Sequence, residues 1–309
     1  MLRVAVIGAG HWGPNLIRTF SGQGSVVTRV VDVRTDRLEA LKATFPNITF
    51  GTDALAAMSD SAVDAVVVAT PTATHFELTR QALELGKHVL VEKPLATSGR
   101  EAAVLGALAS KMRRVLMVGH VYLFNPAVQR AKELLDEQAL GRLSYLSMVR
   151  TNLGPVRTDV TAAWDLASHD LSIATYWLGS GPLTVSATGH SGAAFITLTY
   201  PNEVLVNIHC SWLTPRKVRD ITVVGERRVL RFDDLDSKQP LSLFDSATGA
   251  LGLPFVPQAE PLALEHAHFL ECVAEGRTPL TDAALGLEVV KTLEAITTSM
   301  QAGGAQVRL

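Results

Sequence analysis

The chain has 309 residues, 47% of them hydrophobic and 19% charged, with 28 Lys and Arg against 30 Asp and Glu for a net charge of −2. That composition excludes a disordered or collagenous chain, and without a basic excess a nucleic-acid groove or binding to an anionic membrane surface is not expected. At roughly 100–200 residues per domain the length allows two domains with sizeable cores. The two cysteines, Cys210 and Cys272, stand at no metal-ligand spacing, so neither zinc nor a disulfide framework is expected. Such sparse cysteine use fits a reducing compartment. The first 13 residues carry only a short apolar run, and no stretch approaches the ~20 apolar residues that span a bilayer. The expectation is a soluble, cytoplasmic protein.

Through residue 120 two periods alternate. β-Branched runs at residues 3–7, 26–32, 63–70, 88–92 and 115–118 read as strands, and residues 12–20, 36–44, 75–85 and 98–110 between them read as helices. Ser98 and Glu101 stand at capping-box spacing for the last of these helices. Strands alternating with helices imply crossover connections and a parallel sheet covered on both faces, an α/β doubly wound arrangement. The rhythm changes near Phe124. A helix at 125–138, a strand near 144–150 and a helix at 162–178 precede strand-like runs at 183–188, 194–200, 203–211, 219–225, 229–232 and 241–244. Tight turns such as Pro201-Asn202 and Gly225-Glu226 make these runs antiparallel neighbours. Residues 248–258 read as a Gly/Pro-containing loop, and helices at 262–275 and 282–300 close the chain, the second with Asp282 as N-cap. The expected architecture is a dinucleotide-binding Rossmann domain over 1–122. A substrate-binding and oligomerisation α+β domain with one large, mainly antiparallel open sheet follows over 123–309.

Gly8-Ala9-Gly10-His11-Trp12-Gly13 is a G-x-G-x-x-G that follows a predicted strand and opens a predicted helix, the context such a motif requires. Gly8 permits the tight turn, Gly10 lets the backbone approach a pyrophosphate, and Gly13 lets helix and strand pack closely. The helix N-terminus offers free N–H groups to the anion. Asp32 ends the second strand, 19 residues after Gly13. A carboxylate there can bond both ribose hydroxyls and repel a 2′-phosphate, which favours NAD over NADP. Arg34 is expected to be a solvated loop residue.

Ala69-Thr70-Pro71-Thr72-Ala73-Thr74-His75 and Glu92-Lys93-Pro94 each begin at the end of a predicted strand. Together with the glycine fingerprint they resemble the Gfo/Idh/MocA family of sugar dehydrogenases, over essentially the whole chain. The resemblance implies the two-domain architecture above, a proline often in a cis peptide after the lysine, and contacts to the nicotinamide half of the cofactor from Thr70, Pro71 and Glu92. It adds His11, Trp12, His75 and Lys93 to the cofactor-binding set. The family's second-domain motif, an Asp and a His four residues apart, is met by Asp165-Leu166-Ala167-Ser168-His169. On a helix such residues share a face, so both can serve one hydroxyl in the cleft between the domains. Oxidising an alcohol requires a hydride acceptor and a base, and histidine titrates near neutrality. A lysine beside the hydroxyl can polarise the forming oxyanion, or act as base if the positive nicotinamide depresses its pKa. His169 is assigned as base, Lys93 as orienting electrophile or proton relay, and Asp165 as the group that positions them; the division between Lys93 and His169 stays open. Two departures from the family pattern, Ala167 for a common Gly and Ser172 for a common Asp with Asp170 directly after His169, suggest a subgroup.

Gly119-His120, Phe124-Asn125-Pro126-Ala127-Val128, the segment from Trp164 to Asp170 and the segment from Ser211 to Lys217 resemble the branch of the family that acts on nucleotide sugars. That branch implies oxidation of the 3-hydroxyl of UDP-N-acetylglucosamine or of its uronic acid. The ketone then passes to a pyridoxal-phosphate aminotransferase, for 3-amino sugars of surface glycans or lipid A. A pyrophosphate calls for cationic forks, for which Arg150, Arg157, Arg216, Lys217 and Arg219 are candidates. Tyr122 and Asn125 are further candidates to line the substrate site, and His120 either packs or touches substrate. Glu265-His266-Ala267-His268 looks metal-like, but two histidines two apart on a helix face different ways; they are expected at the surface, and no metal is expected. Relatives associate through a sheet face, so a homodimer or homotetramer is implied, with Phe195, Thr197 and Thr199 as candidates for that face. Competing readings are a dehydrogenase or ketoreductase of another sugar or cyclitol and, in another class, a catalytically silent NAD-binding regulatory protein. Intact Lys93, Asp165 and His169 argue against silence.

Overall fold

A computed structural model describes residues 1–10, 12–22 and 24–309. In chain order the first elements are β1 (Leu2–Ile7), α1 (Gly13–Ser21), β2 (Ser25–Val31), α2 (Thr35–Lys42), β3 (Thr49–Gly51), α3 (Ala54–Ser59), β4 (Ala65–Val68), α4 (His75–Glu84), β5 (His88–Glu92), α5 (Gly99–Met112) and β6 (Leu116–Gly119). They are followed by α6 (Pro126–Asp136), β7 (Leu143–Leu153), α7 (Ser168–Leu178), β8 (Thr184–His190), β9 (Ala193–Thr199), β10 (Leu205–Ser211) and β11 (Leu213–Gly225). The chain closes with β12 (Arg228–Asp233), β13 (Leu241–Asp245), β14 (Leu251–Gly252), α8 (Pro261–Glu275), α9 (Ala283–Gln301) and β15 (Val307–Arg308).

The chain divides into two compact units, one of Met1–Val121 with Glu260–Val290 and one of Tyr122–Ala259 with Lys291–Leu309. In the first, six parallel strands run in the order β3-β2-β1-β4-β5-β6. That order reverses direction between β1 and β4, the switch point at whose carboxyl edge ligands bind in such sheets. Val4, Ala5 and Val6 of β1 and all of β4 are buried, the continuous apolar run of strands covered on both faces. Sequence reading placed all of 123–309 in one body, whereas residues 260–290 belong to the first unit. The reason is packing: Phe20 of α1 stacks on His266 of α8 at 3.8 Å and meets Phe269 edge-on at 6.2 Å, and Val118 N donates to Thr281 O at 2.8 Å. β3 and α3 were not read from the sequence; β3 has three residues and α3 a single six-residue stretch capped by Asp53, whose carboxylate accepts from Ala56 N.

The second unit is built on a nine-stranded sheet in the order β14-β13-β12-β11-β7-β10-β9-β8-β15. Every neighbouring pair is antiparallel except β7 and β10. β11 is longer than the run expected at 219–225, and its pairing with β7 shifts register between Leu213 and Val218. β14 lies inside the stretch read as a loop, and β15 was not foreseen; two-residue strands leave no periodic trace. Alternation along β9 settles which side chains face which way. Ala194, Ile196 and Leu198 are buried, while Phe195 and Thr197 are exposed and Phe195 stacks on His209 of β10 at 4.4 Å. Among the described residues no helix is long and apolar enough to cross a membrane.

Candidate active site

The dinucleotide edge of the first unit is laid out as the glycine spacing predicts. Gly8 has φ +106°, and a Cβ there would stand 2.3 Å from Ala69 O, so only glycine fits the turn. Gly13 packs closely on that turn, an added Cβ meeting Gly8 O at 3.3 Å, whereas a Cβ on Gly10 would meet only an Arg37 side-chain nitrogen at 3.7 Å. The backbone at Gly10 is therefore open to a ligand and at Gly8 and Gly13 closed to side chains, which fits a pyrophosphate cradle. Trp12 precedes α1 and is partly exposed; His11 lies outside the described residues.

Asp32 closes this edge. Its Oδ2 accepts from Ala9 N at 2.8 Å and lies 3.2 Å from Arg37 Nη1, and its Oδ1 accepts from Arg34 N at 2.8 Å. Burial acts to raise its pKa, but the Arg34 and Ala9 amides and the Arg37 guanidinium outweigh burial and hold the carboxyl below its ordinary range. The Arg34 side chain is turned away onto Asp36. The cation that faces Asp32 is Arg37, a residue the sequence reading passed over. Asp32→Ala is expected to weaken NAD more than NADP and to shift the kcat/KM ratio toward NADP, since Arg37 then faces a 2′-substituent without a competing carboxylate; steady-state kinetics with both cofactors check it.

At the carboxyl ends of β4, β5 and β6 the sequence motifs converge within this unit. Lys93-Pro94 is a cis peptide. His75 is buried at the start of α4, its Nδ1 2.8 Å from Pro94 O and its Nε2 2.9 Å from Thr70 O. Its imidazole ties the Thr70-Pro71 loop to the Glu92-Lys93-Pro94 loop. Burial lifts the Glu92 carboxyl to about 7 although the Lys93 charge opposes the rise. His120, just beyond β6, is fully buried, and burial together with the Lys93 charge drives it down to about 3, which leaves the imidazole neutral. Glu265 and His266 are not surface residues. α8 covers α1 and carries both inward: Glu265 is buried, with burial and the Glu92 charge raising its carboxyl well above the usual range, and His266 Nδ1 hydrogen-bonds Thr19 Oγ1 at 2.6 Å. His268 points elsewhere, its Nε2 accepting from Leu280 N at 2.9 Å. Among the described residues no three His, Cys, Asp or Glu side chains gather to hold a metal ion.

In the second unit the Asp/His motif is not one regular helix. Asp165 sits in a π-helical turn, Ala163–Ala167, which leads into α7, and His169 is the second residue of α7. Single π turns recur at functional sites because they re-aim side chains out of the 3.6-residue period. Arg157 donates from Nη1 to Asp165 Oδ1 at 3.2 Å, while its Nε and Nη2 hold Asp159 at 3.0 and 2.6 Å. The fork expected to grip a pyrophosphate is thus engaged with two carboxylates. Arg216 and Lys217 are exposed and lie inside β11 at its register shift, not at a strand boundary. Arg150, a further candidate for the pyrophosphate, is buried and spends its guanidinium on Asp170: Nε stands 3.1 Å from each carboxylate oxygen and Nη2 2.8 Å from Oδ1. Tyr122 and Asn125 both bond Asp234, through the Tyr122 hydroxyl at 2.9 Å and Asn125 Nδ2 at 3.2 Å, and Arg219 Nη1 reaches the same carboxylate at 3.0 Å. Asp234 was missed because nothing in its local sequence marks a residue that collects partners up to 112 positions away.

Residues 2–120 match the oxidoreductase family with an NAD-binding Rossmann fold, and residues 128–231 match the GFO/IDH/MocA C-terminal domain. The chain belongs to the Gfo/Idh/MocA family. As a member it is an oxidoreductase whose Rossmann unit binds NAD. It is similar to a UDP-N-acetylglucosamine 3-dehydrogenase from Acidithiobacillus ferrooxidans, 27% identical over 97% of this chain and 98% of that one. A crystal structure of that enzyme superposes with a TM-score of 0.88 at 26% identity, over 97% of this chain and 98% of the other. It is also similar to a scyllo-inositol 2-dehydrogenase (NAD(+)) from Bacillus subtilis, 28% identical over 93% of this chain and 92% of that protein. GenD2 from gentamicin A biosynthesis, solved in complex with NAD, matches with a TM-score of 0.87 at 25% identity, over 100% of this chain and 96% of that one. This Gfo/Idh/MocA protein thus combines an NAD-binding Rossmann unit that carries Lys93 with a second unit that carries the Asp165/His169 pair.

Proposed function

We propose that the protein oxidises the 3-hydroxyl of UDP-N-acetylglucosamine, with NAD as hydride acceptor. The observation that carries this reading is the likeness to the Acidithiobacillus enzyme along nearly the full length of both chains. NAD, when bound, supplies a ring that accepts hydride. The chain supplies the rest. Gly8, Gly10 and Gly13 leave room for the pyrophosphate at the α1 N-terminus, and Asp32 takes the ribose hydroxyls. Lys93 orients and polarises the sugar hydroxyl, and His169 takes its proton as the carbon loses hydride. Asp165, with Arg157 as its counter-ion, positions these groups. The product, a 3-keto sugar, is a substrate for a pyridoxal-phosphate aminotransferase. A second reading, oxidation of a cyclitol, is favoured by the likeness to the inositol dehydrogenase at comparable identity.

The test is an NADH-production screen with UDP-N-acetylglucosamine, its uronic acid, free sugars and inositols. Oxidising a secondary alcohol with NAD is uphill near neutral pH, so little NADH is expected until a coupled aminotransferase and amino donor remove the ketone. A trapped 3-amino UDP-sugar is the expected result. Turnover of an inositol or a free sugar with no UDP-sugar product would replace the substrate reading and leave the NAD site standing.

A further inference from the structure

Around His169 the second unit contains a closed circuit of side chains that the proposed chemistry does not use. The Tyr122 ring meets the His169 ring at 5.0 Å between centroids and 64° between planes. The Arg150 guanidinium lies 4.4 Å from the centre of the same Tyr122 ring. Arg150 then grips Asp170 through three contacts of 2.8–3.1 Å, and Asp170 is the residue after His169 in α7. From His169 through Tyr122, Arg150 and Asp170 the path returns to its starting point across one peptide bond. The Tyr122 hydroxyl is fixed from outside the circuit by Asp234, which Arg219 and Asn125 hold in turn.

We propose that Tyr122, backed by the buried Arg150–Asp170 pair, is a positioning residue that fixes the orientation of the His169 imidazole. The proposal rests on the reading that His169 takes the substrate proton. Its physical basis is restriction. Two consecutive α7 residues point in directions about 100° apart, a consequence of 3.6 residues per turn. The Arg150–Asp170 pair pins one direction and the Tyr122 ring limits the other. The guanidinium on the Tyr122 ring holds that ring by cation–π attraction in a buried site. An imidazole free to rotate would present its base nitrogen to the hydroxyl for only part of the time, and a misplacement of order 1 Å can cost about 10²-fold in rate. Tyr122 was expected to touch substrate; its buried ring and its hydroxyl bond to Asp234 fit a support role instead.

The experiment is a double-mutant cycle on kcat and KM, using UDP-N-acetylglucosamine with coupled ketone removal, or myo-inositol if the wild type turns over only that. Tyr122→Leu is expected to lower kcat by about 10–10²-fold with KM and NAD affinity little changed. Tyr122→Phe, which keeps the ring, recovers most of that loss. In a His169→Gln background Tyr122→Leu has no further effect on the residual rate, an outcome a merely structural role would not produce. If Tyr122→Leu does not fold, Arg150→Met with Asp170→Asn takes the cation off the Tyr122 ring and is expected to lower kcat at constant KM. Undiminished kcat in Tyr122→Leu, or an equal loss with and without His169, overturns the proposal. So does a Tyr122→Phe variant whose only change is a raised KM. Near-wild-type turnover in His169→Gln alone overturns instead the assignment of His169 as base.

Discussion

Lys93→Ala and His169→Ala should each lower kcat by about 10²–10⁴-fold, the usual worth of a positioned proton-transfer group. NAD binding should be largely retained in both. The cofactor's anionic and ribose contacts are expected at Gly8, Gly10, Gly13 and Asp32, on β1, α1 and the end of β2. Lys93 follows β5 and His169 lies in the other unit. Fluorescence titration with NADH separates binding from turnover, and the coupled aminotransferase assay reads turnover. If both variants worked at near-wild-type rates, the proton would pass through other groups. If Lys93→Ala lost NADH affinity as well as rate, Lys93 would belong to the cofactor cradle rather than to the chemistry. The loss caused by removing both residues should fall short of the product of the single losses, because groups acting on one proton are not independent.

The residues assigned to this chemistry could be found in the sequence because their signals are local. The glycines that the turn between β1 and α1 requires sit within six positions of one another, and Gly8 is confirmed by a backbone conformation that only glycine takes cheaply. The parallel sheet could be read because strands buried on both faces are short and uniformly apolar. The elements that escaped were those with no period to read, β3, β14 and β15, and the assignment of residues 260–290. That stretch returns to the first unit because Phe20 packs against His266 and Phe269, pairs separated by some 250 positions. The same distance hid the support of the candidate site. Arg37 on Asp32 could have been guessed from five-residue spacing. Asp234 under Tyr122, and Arg150 under both Tyr122 and Asp170, could not, because each is an ordinary charged residue until the fold brings its partner to it. The sequence also placed His266 at the surface, whereas it is buried. Helical spacing separated His266 from His268 correctly but carried no information on which face α1 would cover.

Arg150→Met should destabilise the second unit by about 3–5 kcal/mol, the typical cost of removing one partner of a buried ion pair. The side chains of Arg150 and Asp170 are 5% and 1% exposed, so the carboxylate left behind would have neither water nor a counter-ion. Burial acts to lower the pKa of Arg150, but the Asp170 charge and hydrogen bonds more than reverse this, so the guanidinium stays charged in the interior. Urea denaturation should show a lower midpoint with an unchanged slope, since the surface exposed on unfolding is the same. Arg150→Met with Asp170→Asn should recover much of the lost stability, because replacing a whole buried pair by uncharged groups of similar volume is often close to neutral. The recovered protein would still lack the cation that holds the Tyr122 ring. Its stability and its turnover should therefore part company, with the midpoint returning toward wild type and kcat remaining low. A single variant as stable as wild type would mean that Asp170 finds another partner when Arg150 is gone. A double variant that regained full turnover with its stability would confine the pair to folding and leave the orientation of His169 to Tyr122 and Asp234 alone.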